Sequence, residues 1–415
     1  MDIYLVGGAV RDKLLNRQYN EQDWVVVGGT VEALEAQGYR KVGKSFPVFL
    51  HPDSGEEYAL ARTETKTGPG YHGFEVYAGT DVTLEEDLQR RDLTINAIAA
   101  DGEGELIDPW GGRADLDARI LRHVSDAFRE DPLRVLRVAR FAASLHDLDF
   151  SIAPETMKLM HEITASGEIA ALTPERVWKE TEKALATRHP DVYLQTLREC
   201  GALQVIFPEI DVLFGIPQPE KWHPEIDTGK HVLMVMQMTA KLSASIAVRF
   251  AGMVHDLGKG TTKQEFWPSH RDHERRGVEL IEQLCERLGT PNNCRDLAIH
   301  VARYHTHIHR ALELRPDTVM RVLEEVDAFR RPERFEDFLV ACEADARGRT
   351  GLEDAPYHQA DIMRAAFTAA LTVNNADIQA QGLKGPAFGE ALKTLRIKAI
   401  SQALQTARGS DSQAG

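Results

Sequence analysis

The chain has 415 residues, too long for one hydrophobic core, and predicts two to four structural units. Hydrophobic residues make up 43% and charged residues 27%, an ordinary water-soluble balance, and no apolar run reaches membrane-span length. A net charge of −15 excludes a protein coated in basic surface, so nucleic acid can be held only on a local basic stripe. The start, "MDIYLVGG", enters a strand directly without the layout of a signal peptide, and the cytoplasm is the expected compartment. Cys200, Cys285, Cys294 and Cys342 form no CxxC pair, so zinc ribbons and redox dithiols are not expected.

Residues 1–125 read as mixed α/β. Strands are predicted at "IYLVG", "DWVVVG", "FPVFLHP" and "EEYALART", which are rich in β-branched and aromatic residues. "TETKTGPGYHGFEVYAG" reads as a mobile loop, and "GELIDPWGG" as an edge strand followed by a turn. From about residue 126 the pattern turns helical. "DPLRVLRVARFAASL" places Pro132 in a first turn, and "TPERVWKETEKALAT" opens with Thr173 but has Arg176 where a capping box needs an acid. "HVLMVMQMTAKL", "IAVRFAGMVHDLG", "GVELIEQLCERLG", "RDLAIHVARYHTHIH" and "DTVMRVLEEV" all carry helical spacing. Pro-rich "GIPQPEKWHPEIDTG" marks a boundary, and the polar tail "ARGSDSQAG" is expected to be disordered. The expected divisions are 1–125, a head; 126–218, a helical nucleotide-selecting region; 219–330, a second catalytic domain; and 331–415, a helical end.

The chemistry begins with "VGGAVRD". Paired glycines at a strand-to-helix turn bring backbone N–H groups close to an anion, and Gly7, Gly8 and Arg11 are candidates to hold a triphosphate. A tight turn alone accounts for the glycines equally well. Next comes "EQDWVVV". Glu21 and Asp23, two apart on a strand, point to one face, and two adjacent carboxylates repel unless a cation lies between them. Hard oxygen donors suit Mg²⁺, and a metal clamp is what phosphoryl transfer needs. An isolated ExD would read as a solvated turn.

The ordered set "GGAVRD", "EQDWVV", "LQRRDLTINA" and "EDPLRVLRVARF" resembles the polymerase-β superfamily, and most closely the bacterial CCA-adding tRNA nucleotidyltransferases. The resemblance implies a polymerase-β-like α+β head followed by an all-helical body. It implies Mg²⁺ on Glu21 and Asp23, although the family's first acid is Asp. It aligns Glu57 with a third acid, assigns Arg91 to the triphosphate and turns Asp92 toward the ribose. Arg134, Arg137 and Arg140 form a stripe three residues apart, and Asp131 lies three before Arg134, which is expected to put both on one helix face. A carboxylate accepts from the amino group of cytosine or adenine, while a guanidinium donates to their ring acceptors. Uracil and guanine offer the reverse pattern. The resemblance gives Asp131 and Arg134 this base-reading role and leaves Arg137 and Arg140 to neutralise phosphates.

"HVLMVM" and "AGMVHDLGKG" put His231 ahead of a His255–Asp256 doublet, a pattern that resembles HD-domain phosphohydrolases. Mixed imidazole and carboxylate donors suit a transition ion such as Ni²⁺, Co²⁺ or Mn²⁺, with Ni²⁺ the expected one. His270, His273, His305, His309 and Asp345 are further candidate ligands. With "FPEIDVLFGIPQPEKWHPEIDTGKH" and "EADARGRTG", the resemblance extends over nearly the whole chain to the multifunctional CCA-adding enzymes. It implies tRNA, CTP and ATP as partners, no membrane, and a monomer or homodimer. It also implies phosphatase, 2′,3′-cyclic phosphodiesterase and 2′-nucleotidase activities. Two rivals remain at this stage: a hydrolase with a nucleotide-sensing head, and a tRNA-holding protein with degenerate sites.

Overall fold

The computed structural model describes residues 1–19, 22–42, 48–66, 74–379 and 382–414. The chain divides into two compact units. The first is Met1–Ala184 with Val192–Ile206, and the second is Leu185–Asp191 with Phe207–Gly415.

The first unit is built on β1 (Asp2–Val6), β2 (Asp23–Val27), β3 (Arg40–Val42), β4 (Val48–Leu50), β5 (Glu57–Leu60), β8 (Ala99–Ala100) and β9 (Leu106–Ile107), with β6 (Thr63–Lys66) and β7 (Phe74–Tyr77) set apart. Seven of the described strands form one sheet in the order β3-β4-β5-β2-β1-β8-β9. Only β2 and β5 run parallel in it. The near-continuous apolar runs of β1 and β2 follow from a sheet covered on both faces. Val6 and Val25 join one core cluster with Leu88 and Ala97, while Val26 joins Leu34, Phe49 and Leu60 in another. The edge strand expected in "GELIDPWGG" is β9.

The head and its junction with the helical region differ from the reading of the sequence in two places. The segment read as a mobile loop contains the antiparallel pair β6–β7, registered from Thr63↔Tyr77 to Lys66↔Phe74. In the sequence, Gly68, Gly70 and Gly73 drew the reading away from the β-branched and aromatic residues on either side of them. The switch to helices at residue 126 is also not clean, because β10 (Ile120–Leu121) pairs in parallel with β11 (Ser151–Ile152). Helix Leu133–Leu145 begins just after Pro132, as the proline predicts.

The second unit is helical. Its centre is Ile246–Val254, where every residue from Ala247 to Val254 is buried; all are apolar except Arg249, whose guanidinium donates to the carbonyls of Ser243 and Ala240. It packs on Thr228–Leu242, Asn292–His309 and Pro332–Arg347. The Pro-rich segment 215–229 lies inside this unit, folded back on itself by a bridge between Pro217 and Asp227. The last helix, Gly385–Ala414, runs through most of the tail read as disordered. Extending an existing helix needs no new nucleus, so polar residues can continue it.

Candidate functional site

In the first unit, Asp23 opens β2 and Glu57 opens β5, and the parallel register places them directly opposite. Facing residues on paired strands share a face, so two carboxylates stand side by side. Both line a cavity of about 610 Å³. Oxygen donors packed this closely are the kind a hard divalent cation takes, so the donor set fits Mg²⁺. Glu21 lies outside the described residues.

The rest of the cavity wall is cationic. Arg11, Arg62, Arg90, Arg91, Arg134, Arg137, Arg140, Arg176 and Lys183 border it, against Asp23, Glu57, Asp92 and Asp131. Among the described residues this hollow is net positive in a chain of strongly negative charge, the field a triphosphate needs. Gly7 and Gly8 form its floor. Gly7 has φ +72°, a backbone conformation that favours glycine, and a Cβ there would stand 3.0 Å from Arg91 Nη1, so the guanidinium would have to give way.

The arginines are held rigidly. Arg11 donates to Asn96 Oδ1 at 2.6 Å and to Asp12. Arg91 donates to Asp87 at 3.1 Å, and its Nε is buried with no hydrogen-bond partner. Arg137 donates to Asp92 at 2.7 Å, and Arg140 to Glu180 at 2.6 Å. Arg11, Arg137 and Arg140 surround the Phe141 ring at 5.1, 5.8 and 4.2 Å, which offsets their mutual repulsion. Burial pushes the Asp92 carboxyl up, but Arg137 and the Asn96 amide outweigh this and hold it well below the usual range. Asp92 is therefore a charged anchor for Arg137.

Asp131 and Arg134 differ from the sequence reading. Asp131 precedes Pro132 in extended backbone and is not on the helix that carries Arg134. Its carboxylate accepts from the Leu133 amide at 3.1 Å and from Arg176 at 2.7 Å. Arg134 donates to the carbonyls of Ala127 and Arg90. Both side chains still border the same cavity. Sequence reasoning missed Arg62, Arg176 and Lys183. Arg176 had one signal, its place where a capping acid belongs.

In the second unit, His231, His255, Asp256 and Asp345 converge, all nearly or fully buried. His231 Nε2 stands 3.0 Å from Asp345 Oδ1, and His255 Nε2 stands 3.2 Å from Asp256 Oδ2 and 3.5 Å from Asp345 Oδ1. The His255 Nδ1–H donates to Gly252 O at 2.8 Å, which leaves Nε2 facing the acids with no hydrogen-bond partner. Such a set fits a transition ion, whose imidazole ligands are held by carbonyls on the far nitrogen. His231 has the same support: its Nδ1 stands 3.1 Å from Gly348 O and 3.0 Å from Glu225.

Lys259 donates to Asp256 Oδ2 at 2.6 Å and to Gln218 at 2.5 Å. Burial raises the Asp256 carboxyl, but Lys259 and His255 together hold it far down. Burial lowers His255, but Asp256 and Asp345 raise it to about 10. Of the later candidates, His273 and His305 lie beside Asp256, at 3.5 and 3.7 Å. His309 donates to Asp345 Oδ2 at 2.7 Å, and His270 to Pro217 O at 2.9 Å, so neither belongs to a described ligand group. Gly258 is indispensable locally, because a Cβ there would collide with the His273 carbonyl oxygen. Gln218, Glu225 and Lys259 were not singled out from sequence.

Family models match three segments: the poly A polymerase head domain over residues 3–122, a probable RNA and SrmB-binding site of polymerase A over 149–214, and the HD domain over 228–331. The chain is 60% identical over 402 residues to the multifunctional CCA protein of Thioalkalivibrio sulfidiphilus, covering 97% of this chain and 98% of that one. It is 59% identical to the protein of the same name from Nitrosococcus oceani, covering 99% and 100%. The chain belongs to the multifunctional CCA protein family. It is a CCA-adding nucleotidyltransferase with an HD domain. Its fold is shared with a CCA-adding enzyme in apo form II, at TM-score 0.67 and 20% identity over 99% of this chain and 92% of that one. It is shared too with the Thermotoga maritima CCA-adding enzyme complexed with tRNA, at TM-score 0.65 and 19% identity over 99% and 91%. A CCA-adding enzyme complexed with CTP gives TM-score 0.65 and 18% identity, over 99% and 91%. Among the described residues no helix is long and apolar enough to cross a membrane.

Proposed function

We propose that the head adds CCA to the 3′ end of tRNA without a nucleic-acid template, taking CTP and ATP and releasing pyrophosphate. The observation that carries this reading is the pairing of a net-positive cavity with Asp23 and Glu57 side by side at its edge. The tRNA 3′-hydroxyl attacks the α-phosphorus, and the bond to the pyrophosphate oxygen breaks. Glu21 and Asp23 hold Mg²⁺, with Glu57 opposite Asp23. Bound there, Mg²⁺ supplies Lewis-acid polarisation of the phosphate.

The protein's own groups do the rest. Gly8, Arg11, Arg91, Arg137 and Arg140 position the triphosphate and offset its charge. Asp131 and Arg134 read the base, and Arg176 steers Asp131. The tRNA lies on a local basic face, and the work is done in the cytoplasm. The segments 1–125, 126–218, 219–330 and 331–415 serve as head, selecting region, HD domain and helical end.

The HD domain hydrolyses phosphate esters as phosphatase, 2′,3′-cyclic phosphodiesterase and 2′-nucleotidase. His231, His255, Asp256 and Asp345 hold a transition ion, with Ni²⁺ the first choice for this nitrogen-containing set. Such an ion supplies a water acidic enough to attack near neutral pH. Lys259, between Asp256 and Gln218, is placed to balance phosphate charge.

The test is incorporation of each nucleotide, alone and in pairs, into tRNA ending before CCA. CTP alone should add two residues, and ATP should add one only after them. Addition of UTP or GTP at comparable rates, or no addition at all, would remove the reading.

A further inference from the structure

Of the chain's five tryptophans only Trp222 is exposed, at 58%. The backbone beneath it is tied down. The Trp222 and His223 amides both donate to Pro219 O at 3.0 Å, and the Gln218 amide donates to Ile226 O at 2.6 Å. Arg349 Nη1 donates to the Trp222 carbonyl at 3.0 Å. Next to Arg349 is Gly348, whose carbonyl oxygen stands 3.1 Å from His231 Nδ1. On the other side, the centre of the His223 ring lies 4.7 Å from that of His231. The exposed indole is thus one residue away from a ring packed on the ligand group, on a turn fixed from both sides.

The same turn carries an unsatisfied donor at its base. Gln218 is 2% exposed. Its Oε1 accepts from Lys259 at 2.5 Å, and an ammonium only donates, so this bond settles which end of the amide is which. Nε2 is the other end, buried with no hydrogen-bond partner. A buried N–H without an acceptor costs stability. Lys259 also donates to Asp256 at 2.6 Å, so the orphan donor lies one side chain away from the ligand group. A phosphate oxygen is the acceptor that such a donor, beside an ammonium, takes best.

The two features fit the two ends of one kind of molecule. The Gln218–Lys259 end suits the charge of a phosphate ester. An aromatic ring held in water suits a flat π-face, which every nucleobase has. Lys221 Nζ lies 4.6 Å from the centre of the Trp222 ring and covers one face, which leaves the other for a base.

We propose that Trp222 is a base-stacking platform for the HD-domain site, and that the turn 215–229 grips a nucleotide at both ends, the phosphate by Gln218 and the base by Trp222. The inference rests on the reading that this domain hydrolyses phosphate esters. It makes nucleotides preferred over esters that lack a base. Trp222 stays clear of the reacting atoms and sets specificity through binding.

The test compares two monoesters on the full chain with added Ni²⁺: 2′-AMP, which has a base, and glycerol 2-phosphate, which has none. Trp222→Ala should raise KM for 2′-AMP by roughly 5- to 150-fold, the loss of one base stack, and act on KM rather than kcat. Selectivity for 2′-AMP over glycerol 2-phosphate should fall by the same factor, and Trp222→Phe should recover most of it. Gln218→Glu keeps the shape but replaces the donor with an acceptor, and it should raise KM for both esters. A rise for neither would remove Gln218 from the grip. In Trp222→Ala, an unmoved KM for 2′-AMP, or a rise shared equally by both esters, would overturn the platform and leave the hydrolase reading standing. If neither ester is hydrolysed, binding decides: 2′-AMP should quench the fluorescence of the parent more than that of Trp222→Phe. Such quenching without hydrolysis would keep the platform and remove the hydrolase reading. Equal quenching without hydrolysis would overturn both.

Discussion

Asp131 accepts a hydrogen bond at 2.7 Å from Arg176, while Arg134, three residues further on, turns to two backbone carbonyls. The two groups proposed to read the base are thus each set by a partner elsewhere in the fold. Asp131 is held by a cation on helix Pro174–Leu185, and Arg134 by the carbonyls of Arg90 and Ala127.

Arg134→Ala should relax base choice. Losing a charge-assisted hydrogen bond is worth about 1.5–3 kcal/mol, so preference for CTP and ATP over UTP and GTP should fall roughly 10- to 100-fold. Arg176→Ala should lower the same preference by less, because Asp131 keeps its bond to the Leu133 amide. Arg137→Ala should instead raise KM for both nucleotides, as it frees Asp92 and removes a phosphate-facing cation. Competition assays with all four nucleotides separate these effects. Unchanged discrimination in Arg134→Ala would refute the base-reading pair.

Asp23→Ala should abolish C and A addition together, by roughly 1,000-fold or more, the equivalent of several kcal/mol of metal-assisted stabilisation. Glu21→Asp should keep activity, since it restores the acid common in the family. Single-turnover addition of each nucleotide decides both points. Retention of either addition in Asp23→Ala would mean two separate sites.

His255→Ala and Asp256→Ala should remove hydrolysis of a 2′,3′-cyclic nucleotide and spare CCA addition. The ligands of one site lie in the first unit and those of the other in the second. Both assays run on one preparation, with Ni²⁺, Co²⁺ and Mn²⁺ added in turn. Loss of both activities with unchanged circular dichroism would show that the sites are coupled.

His300 gives the second unit an acid-sensitive element away from the ligand groups. Burial, reinforced by the Arg334 charge, lowers it from 6.5 to about 4, and its Nδ1 is buried with no hydrogen-bond partner. The unfolded chain therefore binds a proton below pH 6.5 while the folded one does not. Its contribution is fully present above 6.5 and is lost as pH falls toward 4, by about 1–3 kcal/mol. Urea unfolding at pH 7 and pH 4.5 measures the loss. His300→Gln should flatten the slope but not abolish it, because His223 is also lowered by burial. A slope unchanged by the substitution would place the acid sensitivity elsewhere.

The sequence by itself determined the order of the head strands' apolar runs, the start of helix Leu133–Leu145 and the His255–Asp256 doublet, because each is local. Residues two, three or one apart are placed by backbone geometry alone. The same locality explains the misreadings. Glycines hid the β6–β7 pair, and Pro132 separated Asp131 from the helix that spacing had assigned it. Only the tertiary structure decided that Glu57 stands opposite Asp23, that Arg176 reaches Asp131, and that His273 and His305 close on the second oxygen of Asp256. Those contacts join residues 17 to 49 positions apart. No period of the chain encodes them: they exist because strand pairing and the packing of buried helices bring separate segments to one place.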